Sequence, residues 1–303
     1  MTGCERAAIL DDMSAAGRFA PSPSGDLHIG NLRTALLAWL FARSTGRAFL
    51  VRPEDLDRAR PGAAERQLED LRALGLDWDG DPVRQTDRRA LYDAAIERLV
   101  ADGRTFECFC TRREILEAPS APHRPPGAYP GTCRDLSEVE RAARRAERAP
   151  AIRLRSDVET WTVHDLLHGE VTAGVDDFVL RRGDGVPAYN LAVVVDDGAQ
   201  GIDQVVRGDD LLTSAPRQGY LGELLGIASP VYAHVPLALN AEGQRLAKRD
   251  GAVTYRELTD RGIDVFATIA GSLGLAGSSP EQLLAAFAPE SLPDTPWTFE
   301  PPA

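Results

Sequence analysis

Lys248 is the one lysine in a chain of 303 residues that carries 33 arginines. Surface positive charge is written everywhere else as guanidinium. A compact ammonium with three rotatable donors, kept at a single position, therefore reads as a group held for close contact with phosphate. Arg249 follows it, so there is no Gly-Lys-Ser/Thr P-loop, and no Val-Ala-Ile-Lys strand precedes it. A second set of reactive side chains is Cys108, Cys110 and Cys133, with Cys4 set apart near the start. Cys108-Phe109-Cys110 places two thiols on one face of an extended turn, and Cys133 returns after a loop containing Pro125, Pro126, Gly127, Pro130 and Gly131. Without an export signal this pattern points to a metal rather than to disulfides. Tetrahedral zinc wants four ligands; His123 and Tyr129 are the candidates for the fourth, and residue chemistry alone favours the imidazole.

The third set is Gly25-Asp26-Leu27-His28-Ile29-Gly30-Asn31, at a turn from strand to helix. Free N–H groups and the dipole make a helix N-terminus an anion site. There His28 can donate to a nucleotide phosphate, and Gly30 lets a flat base lie against the backbone. Gly183-Asp184-Gly185-Val186-Pro187-Ala188 fits G-x-G-x-x-A only superficially, because Pro187 and Arg181-Arg182 make it a hairpin turn.

These groups need a scaffold. A short strand from Arg18 runs into the Pro21–Gly25 turn, a helix over Gly30–Thr45 carries Leu32, Leu36, Trp39 and Leu40 at helical spacing, and Phe49–Val51 is a buried strand. Such a βαβ unit predicts a parallel sheet with ligands at the carboxyl ends of its strands. Helices are expected over Gly62–Leu74, Arg88–Ala101 and Leu136–Arg148, and short strands at Ile152–Leu154 and Phe178–Arg182. The apolar run Leu191–Val195 reads as a central strand, Gln204–Arg207 as another, and Leu211–Leu225 as a helix. Two or three short helices are expected within Tyr255–Pro289, and a loosely held Pro-rich end. The resulting division is a disordered tail (1–16), a first Rossmann half (17–104), an inserted zinc-bearing domain (105–185), a second Rossmann half (186–240), and a loop with C-terminal helices (241–303).

Composition sets outer limits. Hydrophobic residues at 43% and charged ones at 26% are ordinary for a well-cored protein. The net charge of −12 excludes a generally basic nucleic-acid coater, leaving a local patch such as Arg141, Arg144, Arg145 and Arg148. No run approaches the ~18 apolar residues of a membrane span. The first 16 residues, with Glu5, Arg6, Asp11 and Asp12, do not read as a secretory signal. A cytoplasmic monomer that does not bind membranes is expected.

Arg18-Phe19-Ala20-Pro21-Ser22-Pro23-Ser24-Gly25 followed by His28-Ile29-Gly30-Asn31 resembles the HIGH region of the glutamate-specific class I aminoacyl-tRNA synthetases. Arg245-Leu246-Ala247-Lys248-Arg249 resembles their KMSKS loop. Arg52-Pro53-Glu54-Asp55-Leu56-Asp57 and Val206-Arg207-Gly208-Asp209-Asp210-Leu211 resemble two further blocks of the family. Only about 50 residues follow Lys248, against the large helical anticodon-binding region of a full glutamyl-tRNA synthetase. The similarity is therefore to the short paralogues, the glutamyl-Q tRNA(Asp) synthetases.

The resemblance implies a class I Rossmann-type catalytic domain of α/β class, with an inserted zinc-bearing α+β domain and a short C-terminal helical region. It implies a ligase that activates L-glutamate with ATP and Mg2+, without tRNA, and transfers the glutamate to queuosine in the anticodon of tRNA(Asp). It assigns His28 and Lys248 to catalysis, and His28, Gly30, Asn31 and Lys248 to ATP. Arg18, Ala20, Ser22, Glu54, Tyr189 and Arg207 are assigned to glutamate. One structural Zn2+ goes to Cys108, Cys110, Tyr129 and Cys133, so tyrosine replaces His123 as the fourth ligand. Asn31 stands where the general motif has its second His, and Ala247 where a Ser is usual. The competing readings are a glutamyl-tRNA synthetase fragment charging a tRNA 3′ end, a nucleotidylyltransferase of the H-x-G-H type, and a non-catalytic zinc-bearing RNA-binding or amino-acid-sensing module.

Overall fold

In the computed structural model, residues 15–117, 129–246 and 253–300 are described. Strand β1 (Ala16–Phe19) leads through the Pro-rich turn into helix α1 (Ile29–Ser44) and then to strand β2 (Ala48–Val51), parallel to β1 with Phe19 beside Val51. Of the 16 residues of α1, 12 are buried, because the helix lies between the sheet and later helices. The first strand starts at Ala16, inside the stretch expected to be a tail; residues 1–14, Cys4 among them, lie outside the described residues. Helices α2 (Ala63–Ala73) and α3 (Arg89–Ala101) follow where apolar spacing places them.

Strand β3 (Thr105–Cys108), helices α4 (Arg112–Glu117) and α5 (Glu138–Glu147), and strand β4 (Ala151–Leu154) open the inserted region. The chain then departs from the expected plan. Strands β5 (Thr160–Asp165) and β6 (Gly169–Gly174) form a hairpin that leaves the insert, before strand β7 (Val179–Arg181) returns to complete the small antiparallel sheet β3-β4-β7. The Arg182–Val186 turn after β7 is a hairpin, closed by the Arg182 N–H to Val186 O and the Gly185 N–H to Arg182 O.

The run Leu191–Val195 is helical, within α6 (Tyr189–Ala199), and not the strand expected from its apolar, β-branched composition. All five residues are buried, packed against Tyr92, Ile96 and Leu180. A short run apolar on every side is compatible with either a core strand or a core helix, and periodicity cannot separate them. Strand β8 (Ile202–Gly208), a 3-10 turn, helix α7 (Ala215–Leu225) and strand β9 (Val231–Val235) finish the second half. The main sheet has the order β2-β1-β8-β9-β5-β6, parallel except at its last pair, so residues 160–174 belong to it and not to the insert. Val163 packs that hairpin against the core: it is buried on β5 and lies against Gly219 of α7, where a side chain would collide.

Beyond strand β10 (Ala238–Leu239) come helices α8 (Tyr255–Asp260), α9 (Val265–Ser272) and α10 (Pro280–Ala286), and strand β11 (Trp297–Thr298). The end is not loose through residue 300. β11 pairs with β10, and Phe299 is buried in the main core. No helix among the described residues is long and apolar enough to cross a membrane.

Candidate active site

At the carboxyl ends of β1 and β8 the chain diverges and leaves a cleft of about 910 Å³. His28 opens α1 as its N-cap. Its Nδ1 accepts the Asn31 N–H at 3.2 Å while Asn31 Oδ1 accepts the His28 N–H at 3.2 Å, a reciprocal capping box. With Nδ1 engaged as acceptor, the neutral ring carries its proton on Nε2. Asn31 thus serves the helix terminus with both its amide and its side chain. Gly30 has a packing reason of its own: a Cβ there would come within 2.8 Å of Ala238 Cβ and 3.0 Å of His28 Nδ1. Gln67 Nε2 donates to Ser22 O and Gly25 O at 3.1 and 2.6 Å, pinning the turn before the helix.

The opposite wall is ionic. Buried Arg18 donates from Nε and Nη2 to Asp197 at 3.1 and 3.4 Å, and fully buried Arg52 donates from Nη1 to the same carboxylate at 2.7 Å. Against the upward push of burial, these two guanidinium groups hold Asp197 below the ordinary aspartate value. Asp196, beside it, accepts from Gln85, Arg88 and Tyr92. Glu54 lies 3.9 Å from Arg52, and its amide donates to Pro21 O. Burial, only partly opposed by Arg52 and Arg18, pushes its carboxyl up to about 7. Arg207, also buried, donates from Nη1 to Gln218 Oε1 at 2.7 Å and to the Tyr189 hydroxyl at 3.4 Å.

One cleft therefore brings together Arg18, Ala20, Ser22, His28, Gly30, Asn31, Glu54, Tyr189 and Arg207, residues up to 189 positions apart in sequence. Lys248, with Ala247 and Arg249, lies outside the described residues. Its flanks do not: Arg245 and Leu246 line the cleft, and Val253 O accepts the Ile29 N–H at 2.8 Å at the start of α1.

A separate group sits at the end of β3. The sulfurs of Cys108, Cys110 and Cys133 lie within 4.8 Å of one another. Cys110 and Cys133 are 3.6 Å apart, and the Tyr129 hydroxyl is 3.5 Å from Cys108 and 4.0 Å from Cys110. A tetrahedral zinc with Zn–S near 2.3 Å and Zn–O near 2.1 Å sets edges of about 3.8 Å between sulfurs and about 3.6 Å from sulfur to oxygen. The Cys110–Cys133 separation and the two Tyr129 separations are close to those edges, and the three cysteines form a cluster that could hold a metal. Burial and the neighbouring Cys108 push the Cys110 thiol up to about 12, so gathering thiolates here is costly unless a cation shares their charge. His123, the alternative ligand, lies outside the described residues.

Comparison with known proteins bears on what this arrangement is. Residues 15–295 match the family model described as tRNA synthetases class I (E and Q), catalytic domain. A relative named glutamyl-Q tRNA(Asp) synthetase, from Nocardia farcinica, is 64% identical over 289 residues, covering 94% of this chain and 93% of its own. The chain belongs to this synthetase family. A second member, from Symbiobacterium thermophilum, is 45% identical and covers 92% of this chain and 94% of its own. The glutamate-tRNA synthetase of Elizabethkingia anophelis superposes with a TM-score of 0.79 at 28% identity, over 94% of this chain and 68% of that one. Membership makes the protein a ligase of the aminoacyl-tRNA synthetase type, whose substrate classes are amino acid, ATP and tRNA.

Within this synthetase several site residues were not foreseen. Asp196 and Asp197 hold Arg18, Arg52 and Arg88; two carboxylates directly after an apolar run were the available signal. Gln67, Gln218 and His234 carry no sequence signature at all. Of the arginines offered as an RNA surface, Arg141 and Arg145 pair with Glu138, Arg145 also with Glu107, and Arg148 donates to Phe109 O.

Proposed function

We propose that the protein activates L-glutamate with ATP to glutamyl-adenylate without needing tRNA, and transfers the glutamate to the queuosine base in the anticodon of tRNA(Asp). The observation that carries this reading is the single cleft in which two buried arginines, a half-buried carboxyl and a helix-capping imidazole face one another. The names of the relatives supply the acceptor.

Glutamate carries two carboxylates and one ammonium. Arg18 and Arg207 suit the carboxylates, since a guanidinium offers paired donors to such a group. Glu54 suits the ammonium, and the Tyr189 hydroxyl adds a neutral contact. The α-carboxylate oxygen attacks the α-phosphorus of Mg·ATP, the bond from that phosphorus to the bridging oxygen breaks, and pyrophosphate leaves. His28 donates from Nε2 to a phosphate oxygen, Gly30 and Asn31 shape the turn beneath the nucleotide, and Lys248, two residues beyond the cleft-lining Leu246, neutralises the developing charge. In the second step a hydroxyl of the queuine cyclopentene ring attacks the acyl carbon and AMP departs. An anticodon loop can present such a splayed base to a cleft. Cys108, Cys110, Tyr129 and Cys133 would hold one structural zinc, and with it bound they would clamp the end of β3 to the following loop.

Two assays test this. Glutamate-dependent ATP–pyrophosphate exchange without RNA is expected; exchange only with added tRNA would favour a synthetase charging a 3′ end. Radiolabelled glutamate is expected on tRNA(Asp) that contains queuosine and not on the same tRNA lacking it. Equal labelling of both would overturn the acceptor assignment.

A further inference from the structure

Arg18 and Arg207 stand in the same cleft but are held in different ways. Arg18 is bound directly to a carboxylate, Asp197. Among the described residues Arg207 has none beside it: its Nε donates at 3.0 Å to Nε2 of His234, its cross-strand neighbour between β8 and β9. His234 Nδ1 in turn lies 2.6 Å from Asp165 Oδ2 at the end of β5. Asp165 and His234 are at most 1% exposed. The Asp165 carboxylate also accepts the backbone N–H groups of His234, Leu167 and His168 at 3.0, 2.9 and 3.0 Å, so it faces donors on every side.

The proton positions follow from this geometry. A guanidinium N–H can donate only to a lone pair, so His234 Nε2 must be unprotonated. An ionised Asp165 can only accept, so Nδ1 must carry the proton. A direct Asp–Arg pair would occupy the guanidinium with a full countercharge. The interposed neutral imidazole fixes Nε and leaves the rest of the group to other partners. Gln218 Oε1 takes Nη1, its amide turned by Asn190, and the Tyr232 ring lies 5.2 Å beneath Cζ. Among the described residues Nη2 remains buried with no hydrogen-bond partner, a donor whose desolvation is uncompensated until an acceptor arrives.

Resting on the glutamate-activating reading above, we propose that Asp165 and His234 are positioning residues for the amino-acid pocket: Asp165 fixes the His234 tautomer, and the Nε2 lone pair holds Arg207 in the pose that receives a substrate carboxylate. Neither residue touches substrate. Asp165→Asn offers Nδ1 an amide N–H where a carboxylate stood, which favours the tautomer with its proton against Arg207. In pyrophosphate exchange this variant should raise the glutamate KM about 10- to 100-fold and leave the ATP KM within about twofold. His234→Leu should do the same. His234→Gln restores an acceptor close to the Nε2 position and should recover most of the glutamate KM.

Equal rises in both KM values, an unchanged glutamate KM, or a glutamine variant no better than leucine would overturn the proposal. Should the variants not fold, 15N shifts of the histidine-labelled wild-type protein decide: the Nδ1–H tautomer at His234 is expected, and Nε2–H would refute it. A wild-type protein with no glutamate-dependent exchange would instead defeat the functional reading, leaving the tautomer result intact.

Discussion

Glu54 offers the most quantitative test of the cleft. Its carboxyl is pushed from an ordinary 4.5 up to about 7, first by burial, with Arg52 and Arg18 pulling down and Asp197 and Asp196 pushing up. The unfolded chain loses this proton near pH 4.5 whereas the folded chain keeps it to about pH 7, so stability falls as pH rises between those values and is level above. The loss is about 3 kcal/mol, from 1.4 kcal/mol per pH unit of displacement. Glu54→Gln, which stays neutral throughout, should escape it. For a domain of this size that corresponds to a melting temperature about 5 °C above wild type at pH 8, with little difference at pH 4.5. Thermal unfolding of both proteins from pH 4.5 to 8, without glutamate, measures this directly. Binding should work in the opposite sense: if Glu54 receives the ammonium, glutamate affinity falls about tenfold per pH unit below 7, and binding at pH 6 releases a proton detectable by calorimetry in buffers of different ionisation enthalpy. Parallel melting curves for the two proteins at every pH would refute the neutral carboxyl. Glutamate affinity independent of pH would refute its role as ammonium acceptor.

Other expectations concern different parts of the molecule. Lys248→Arg should fold normally yet lose on the order of 10²–10³ in exchange rate, and near-normal exchange would remove the phosphate role. Cys110→Ser should lower the zinc content measured by atomic absorption and speed hydrogen exchange in the β3-β4-β7 sheet; unchanged metal stoichiometry would count against the site. Gly30→Ala places a methyl 2.8 Å from Ala238 Cβ and 3.0 Å from the His28 ring, so it should cost about 1–3 kcal/mol in denaturant unfolding and lower activity together. A fully stable, fully active alanine variant would show that this close approach is not required.

The parts of the fold that could be read in advance are those written locally. Helix α1 announces itself by the spacing of Leu32, Leu36 and Leu40, whereas the capping box of His28 and Asn31 at its start emerges only from the structure. The cysteine cluster is legible because thiols three in number within 26 residues have few other uses in such a chain. What was not legible depends on partners distant in sequence. Leu191–Val195 reads equally well as strand or helix until α3, α7 and the β3-β4-β7 sheet enclose it. The β5-β6 hairpin gives no sign of which sheet it joins, since its pairing with β9 and the contact of Val163 with the bare backbone of Gly219 lie far off in sequence. His234 and Asp165 look like ordinary residues in two unrelated strands, and acquire meaning only when Arg207 arrives between β1 and β9.

The pairing of β10 with β11 ties residues 297–299 to the segment that backs the first turn of α1. Trp297 N–H donates to Leu237 O and Phe299 N–H to Leu239 O, while Leu237 and Ala238 face the cleft and Ala238 presses on Gly30. Residues 297–299 thus act as a buttress behind one wall of the cleft. Shortening the protein ahead of Trp297, or fusing a bulky partner there, would be felt more than 260 positions upstream as a slackened seat for the imidazole of His28.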